Sequence, residues 1–116
     1  MQPRIDEYRF GYIVVDGKSY THDIIITPDR VIPNWWRIKG HRLQLEDVKQ
    51  YLDIEVDAVV IGTGYNGLMQ VDKEVIEEFK KRGRKIYILT SREAVKKYNE
   101  LTSKGQKTML FIHLTC

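Results

Sequence analysis

Cysteine is almost missing: the only one among 116 residues is Cys116, the last. No disulfide can close within the chain, so a reducing compartment is the expected setting. No apolar run approaches the ~20 residues that cross a bilayer, and the start, MQPRIDEYRF, is too polar for a secretory signal and carries no transit-type extension. The expectation is a cytoplasmic protein without a membrane role. Proline occurs three times, and there is no repeat, low-complexity tract or linker, so residues 1–116 read as a single domain. An excess of one charge is also lacking. Nineteen Lys and Arg against sixteen Asp and Glu leave +3 spread along the chain, which gives little electrostatic reason to expect nucleic acid. There is no G-x-S-x-G, no phosphate loop ending in Gly-Lys-Ser/Thr and no H-E-x-x-H helix, so no catalytic residue can be named and the chain leans away from an enzyme.

What is present is an alternation of β-rich and amphipathic segments. Tyr8–Val15 and Ser19–Ile26 are β-rich runs joined by Asp16-Gly17, a pair that tolerates a tight turn, and are expected to form a hairpin. Pro28, Pro33 and Gly40 break the next stretch, leaving at most a short strand around Trp35–Ile38. Leu45, Val48 and Leu52 share one face of a short helix. DAVVIG is a β-branched run of the kind buried on both faces of a sheet. A helix capped by Asp72 then carries Val75, Ile76 and Phe79 inward and stops near Gly83. RKIYILT is the next strand, and Thr90 with Glu93 fits a capping box ahead of a helix burying Ala94, Val95, Tyr98 and Leu101. KTMLFIHL is the last strand, its place and direction left open by pattern alone. Strand, helix, strand, helix, strand favours parallel pairing with right-handed crossovers.

VVIGTGYNG places Gly62, Gly64 and Gly67 at the spacing of a dinucleotide-binding turn. In such a turn the third glycine opens the helix, so that free N–H groups face the pyrophosphate. Here Leu68–Val71 intervene before Asp72, and the second strand ends in Thr90-Ser91-Arg92 rather than in an acidic ribose ligand. The glycines are therefore read as a crevice-forming turn, and no cofactor is assigned. The ends of two parallel strands, at Gly62 and Thr90, should share one sheet edge. Exposed N–H groups of Thr63, Gly64 and Tyr65, flanked by Asn66 and Gly67 and helped by the Thr90 hydroxyl, would suit a small anion or a partner's carboxylate.

Trp35, Trp36 and Arg37 form the most unusual cluster. Tryptophan with arginine is the composition of binding hot spots, while one or both indoles alternatively cap the core. The irregularity of the segment favours Arg37 and one tryptophan pointing outward. His113 and Cys116 have an H-x-x-C spacing, with His22 and His41 elsewhere, but a structural zinc site commonly draws on paired cysteines, so no metal site is assigned. A carboxylate beside Cys116 would disfavour its thiolate. Asp23 beside His22, and Asp47 after Glu46, are sequence neighbours whose side chains diverge, so acid–base work is not argued from them. The basic run KKRGRK, Lys80–Lys85, reads as a solvated helix C-terminus.

DGKSYTHDIII, NWWRIKGHRLQLEDV, VVIGTGYNGLMQV, LTSREAVKKYNEL and the terminal HLTC, in that order, resemble the Mth938-like family, catalogued as a domain of unknown function. The resemblance runs from about Phe10 to Cys116. It implies an α/β fold: a single three-layer domain whose mixed central sheet, with parallel β-α-β units, lies between helices and an N-terminal β-hairpin. Family relatives include a mitochondrial complex I assembly factor and an adipogenesis-associated protein, and no agreed activity belongs to the family. The matched positions are the glycine loop Ile61–Gly64, Tyr98-Asn99, and His113 to Cys116. The cluster of binding-prone residues and the lack of catalytic motifs point to an interaction or assembly module acting through Trp36, Arg37 and the Gly62–Gly67 crevice on a protein partner. A homodimer through the aromatic loop or hairpin edge is a further expectation. The alternative is a small enzyme or ligand-binding protein that uses the crevice for an anionic metabolite or nucleotide.

Overall fold

The computed structural model describes residues 2–116. Its centre is a five-stranded sheet in the order β5 (Val31–Ile32), β4 (Ile24–Ile26), β10 (Thr108–Ile112), β7 (Ala58–Gly62), β9 (Lys85–Leu89). β10, β7 and β9 run parallel, with Thr108 and Lys85 both opposite Ala58, and β4 runs antiparallel to β10. The last strand thus takes the middle of the sheet. Thr108–Ile112 and Ala58–Gly62 are buried along their whole length, as strands covered on both faces require.

The twofold periodicity of a strand divides the core. Ala58, Val60, Leu110 and Ile112 face α3 (Ser91–Ser103), where Ala94, Tyr98 and Leu101 pack on them together with Ile5, Ile13 and Val15. Val59, Ile61, Met109 and Phe111 face the other side, against Val75 and Phe79 of α2 (Lys73–Lys81), Val48 of α1 (Leu45–Val48) and Trp35. Each fully buried aliphatic or aromatic side chain contributes about 1.5–3 kcal/mol. A short parallel pair, β6 (Arg42–Leu43) and β8 (Gln70–Val71), carries the chain across.

The N-terminal β elements are a three-stranded antiparallel meander, β1 (Ile5–Arg9), β2 (Tyr12–Val15) and β3 (Lys18–Tyr20), rather than the single hairpin expected. The turn at Asp16-Gly17 is as read, with φ of 48° and 80°. The expected run Tyr8–Val15 is cut at Phe10-Gly11, where Gly11 takes φ 73° and its N–H reaches the Leu114 carbonyl at 2.9 Å. The expected run Ser19–Ile26 is also divided: Lys18–Tyr20 is largely exposed, while Ile24–Ile26 is wholly buried in the other sheet. No strand forms at Trp35–Ile38. Asn34 holds φ 53°, and only a single bridge joins Lys39 to Arg42. Asp72 and Thr90 stand at the N-caps of α2 and α3, but neither side chain bonds the first turn; Asp72 Oδ1 instead accepts from Arg42 Nε at 2.7 Å.

Candidate functional site

The carboxyl ends of β7, β9 and β10 lie at one sheet edge, and antiparallel β4 brings its beginning there as well. Ile24 is opposite Ile112, so Asp23 and His113 are neighbours just beyond the paired strands. Asp23 Oδ2 lies 2.8 Å from His113 Nδ1 and 2.7 Å from Arg37 Nη1, while Oδ1 accepts the Leu114 N–H at 2.7 Å. His113 Nδ1 also stands 3.0 Å from Arg37 Nη2, which donates to the Gly40 carbonyl at 2.8 Å. The guanidinium also lies 5.0 Å above the Trp35 ring. Burial pushes the Asp23 carboxyl up, but the hydrogen bonds from His113, the Leu114 amide and Arg37 outweigh it and hold the group below the usual carboxylate value.

This cluster corrects the reading of Arg37. Its side chain is 4% exposed and turned inward, a positioning group rather than a contact group. Trp35 is also core, 7% exposed, with its Nε1–H donated to the Asp47 carbonyl at 3.2 Å. Asp47 holds the segment a second time, since Oδ1 accepts the Ile38 N–H at 3.0 Å and Oδ2 the Gln44 N–H at 2.7 Å. Between these anchors Trp36 projects 76% exposed, with the His22 ring 6.1 Å away.

The glycine loop lies alongside, tied through the His113 N–H to the Gly62 carbonyl at 3.0 Å. The donors expected to be free there are engaged within the chain. Thr63 N–H meets the Leu89 carbonyl at 2.8 Å, Gly64 N–H meets Ser91 Oγ at 2.9 Å, and Tyr65 N–H meets the Thr115 carbonyl at 3.1 Å. Asn66 and Leu68 both donate to the Cys116 carbonyl at 3.1 Å, and Gly67 donates back to Gly64. The crevice therefore holds the chain's own Thr115 and Cys116. Gly64 is required there, because φ is 110° and a Cβ would stand 2.4 Å from the Cys116 carbonyl carbon. Thr90 lies against the loop through its methyl group, 3.4 Å from where a Cβ on Gly67 would be. Tyr65 packs between Phe10, at 5.8 Å, and the Arg92 guanidinium, 4.4 Å over its ring.

His113 pairs with Asp23 in the manner of an oriented acid–base group, but its Nε2 is buried and, among the described residues, without a partner, as is Arg37 Nε. The Ser91 hydroxyl is spent on the His113 carbonyl. One carboxylate ties together Arg37 of the Trp36 loop, His113 at the end of β10 and the Leu114 amide that leads into the glycine crevice. His41 lies with its ring 6.0 Å from that of His113, whereas Cys116 sits in the glycine loop. The basic run stays on α2 and beyond, with Arg82 on Asp53 and Glu78. Asp23 and His113 were missed as partners. Their only signal was that each directly flanks a wholly apolar strand, Ile24–Ile26 and Met109–Ile112.

A family described as a protein of unknown function (DUF498/DUF598) matches residues 5–113. Among solved structures, a conserved hypothetical protein of Pyrococcus horikoshii is 30% identical over 97% of this chain and 99% of its own, with a TM-score of 0.78. A protein named MT938 is 26% identical over 98% and 99%, TM-score 0.80. A Bordetella pertussis protein described as a Mth938-like domain shares the fold at 14% identity, over 97% and 85%, TM-score 0.66.

Proposed function

The chain belongs to the DUF498/DUF598 family of proteins of unknown function, the Mth938-like domains, and on that premise we propose that it is a cytoplasmic interaction or assembly module that engages a protein partner through Trp36 and the adjoining glycine loop. The observation that carries this reading is the 76% exposure of Trp36 between two side chains, Trp35 and Arg37, that are locked inward. A residue whose two chain neighbours are anchored loses little main-chain freedom on binding, and tryptophan is enriched at the centres of interfaces. Covering the exposed part of this one ring is worth about 3 kcal/mol before the costs of association.

Ile38, Leu68 and Phe10, at 68%, 53% and 55% exposure, extend apolar surface from neighbouring loops of the same edge. The engagement of the glycine-loop donors by Thr115 and Cys116 also favours a protein partner over a small anion in that crevice. The test is native mass spectrometry of the protein gently isolated from its own cells, beside Trp36→Ala. The expected result is a stoichiometric protein companion that the variant loses while its melting stays near wild type. A retained small molecule with no protein companion, or a companion equally held by Trp36→Ala, would overturn the reading.

A further inference from the structure

The outer margin of the central sheet at β9 carries an inference independent of the Trp36 surface. β9 is the terminal strand, paired among the described residues with β7 alone. The Lys85 N–H bonds the Asp57 carbonyl at 3.1 Å, and the Thr63 N–H bonds the Leu89 carbonyl at 2.8 Å. With Ala58 opposite Lys85 and Gly62 opposite Leu89, residues 85, 87 and 89 spend their main-chain groups on β7. Ile86 and Ile88 therefore turn both N–H and C=O outward. The segment KIYIL has one charge, at its first residue, and no proline. Native proteins ordinarily protect such an edge with inward charges, bulges or a covering element.

We propose that this edge pairs with the β9 edge of a second copy, antiparallel about a two-fold axis through Tyr87, joining the two central sheets. The margin is complementary to itself in that register. Ile86 stands opposite Ile88 of the second copy and Ile88 opposite its Ile86, so the outward groups close four main-chain hydrogen bonds. Both isoleucines lie on the α2 side of the sheet, where Ile86 is half-buried and Ile88 is 39% exposed. The two-fold therefore sets β-branched pairs against each other where cover is thinnest. Lys85 falls opposite Leu89, which keeps the two lysines at opposite ends of the new ladder. The ladder offers five strand residues per partner against the ~20–30 a side of a standard interface, so the dimer is expected to form only with rising concentration.

Sedimentation velocity and amide exchange by NMR, from micromolar to millimolar protein, test this. The expected mass rises from 13.7 kDa toward twice that value, with the Ile86 and Ile88 amides becoming about tenfold or more slower to exchange as the ladder forms. Ile88→Lys is expected to stay at the monomer mass with a native-like spectrum. A wild-type chain that remains at monomer mass at millimolar concentration overturns the proposal. So does a dimer in which the Ile86 and Ile88 amides exchange as fast as in the monomer, a readout that holds even if Ile88→Lys folds poorly.

Discussion

Replacing Asp23 by Asn keeps the shape of the side chain and removes the charge that both Arg37 and His113 face. The Arg37 side chain is 4% exposed and that of Asp23 15%, so the pair is mostly screened from water by protein rather than by solvent. Removing one member of a buried pair leaves an uncompensated charge, at a typical cost of about 3–5 kcal/mol. The partial exposure of Asp23 sets the expectation at the lower end, about 3 kcal/mol, which is a large share of the ~5–15 kcal/mol that holds a domain together. For a chain of this size that corresponds to a melting temperature lower by roughly 10 °C. Urea unfolding of Asp23→Asn, Arg37→Met and the double variant forms a cycle, and the double variant is expected to be more stable than Asp23→Asn, because no orphaned cation remains. The pH dependence has a definite sign. Asp23 is held below its ordinary value in the fold, so its contribution is present above the unfolded pKa of about 3.9 and is lost as pH falls below that toward the depressed folded value. The acid limb of stability should therefore flatten in Asp23→Asn. Single variants costing less than about 1 kcal/mol each, with no coupling between them, would refute the account of the cluster as a buried charge anchor.

Two further outcomes follow from neighbouring positions. Gly64→Ala places a methyl against the Cys116 backbone at a φ that side chains rarely adopt, so it should cost at least about 1–3 kcal/mol in urea unfolding and speed exchange at the Asn66 and Leu68 amides; unchanged exchange would mean that the crevice does not hold that segment. Burial pushes the Tyr8 phenol up to about 12 and Tyr98 higher still, so ultraviolet titration should show late tyrosine absorbance that Tyr8→Phe reduces, with a stabilising contribution of Tyr8 present below the ordinary value of about 10 and lost as pH rises from there toward 12.

The legibility of the chain differs sharply between fold and site. Val59–Gly62 and Met109–Ile112 announce themselves as buried strands because every residue is apolar, and α2 and α3 because Val75, Phe79, Ala94 and Tyr98 recur at helical spacing. Trp36 and the glycine loop were likewise visible as unusual composition. The inward turn of Arg37 was not. It depends on Asp23, fourteen residues earlier, and an arginine in an irregular segment carries no mark of where its counter-ion will be. The free donors expected at Thr63, Gly64 and Tyr65 failed for a related reason. Their acceptors include carbonyls of Leu89 and Thr115, remote in sequence and supplied only when β9 and β10 take their places beside β7.

Period and local composition determined the parallel β-α-β half and the Asp16-Gly17 turn, since each rests on residues close together in the chain. Tertiary structure decided the rest. It set β10 at the centre, broke the two N-terminal runs into four strands in two sheets, and filled the glycine crevice with Thr115 and Cys116. The physical reason is that register and charge pairing are relations between distant segments. Asp23 becomes an anchor only because antiparallel β4 meets β10 with Ile24 opposite Ile112, which places a carboxylate, an imidazole and a guanidinium within hydrogen-bond reach.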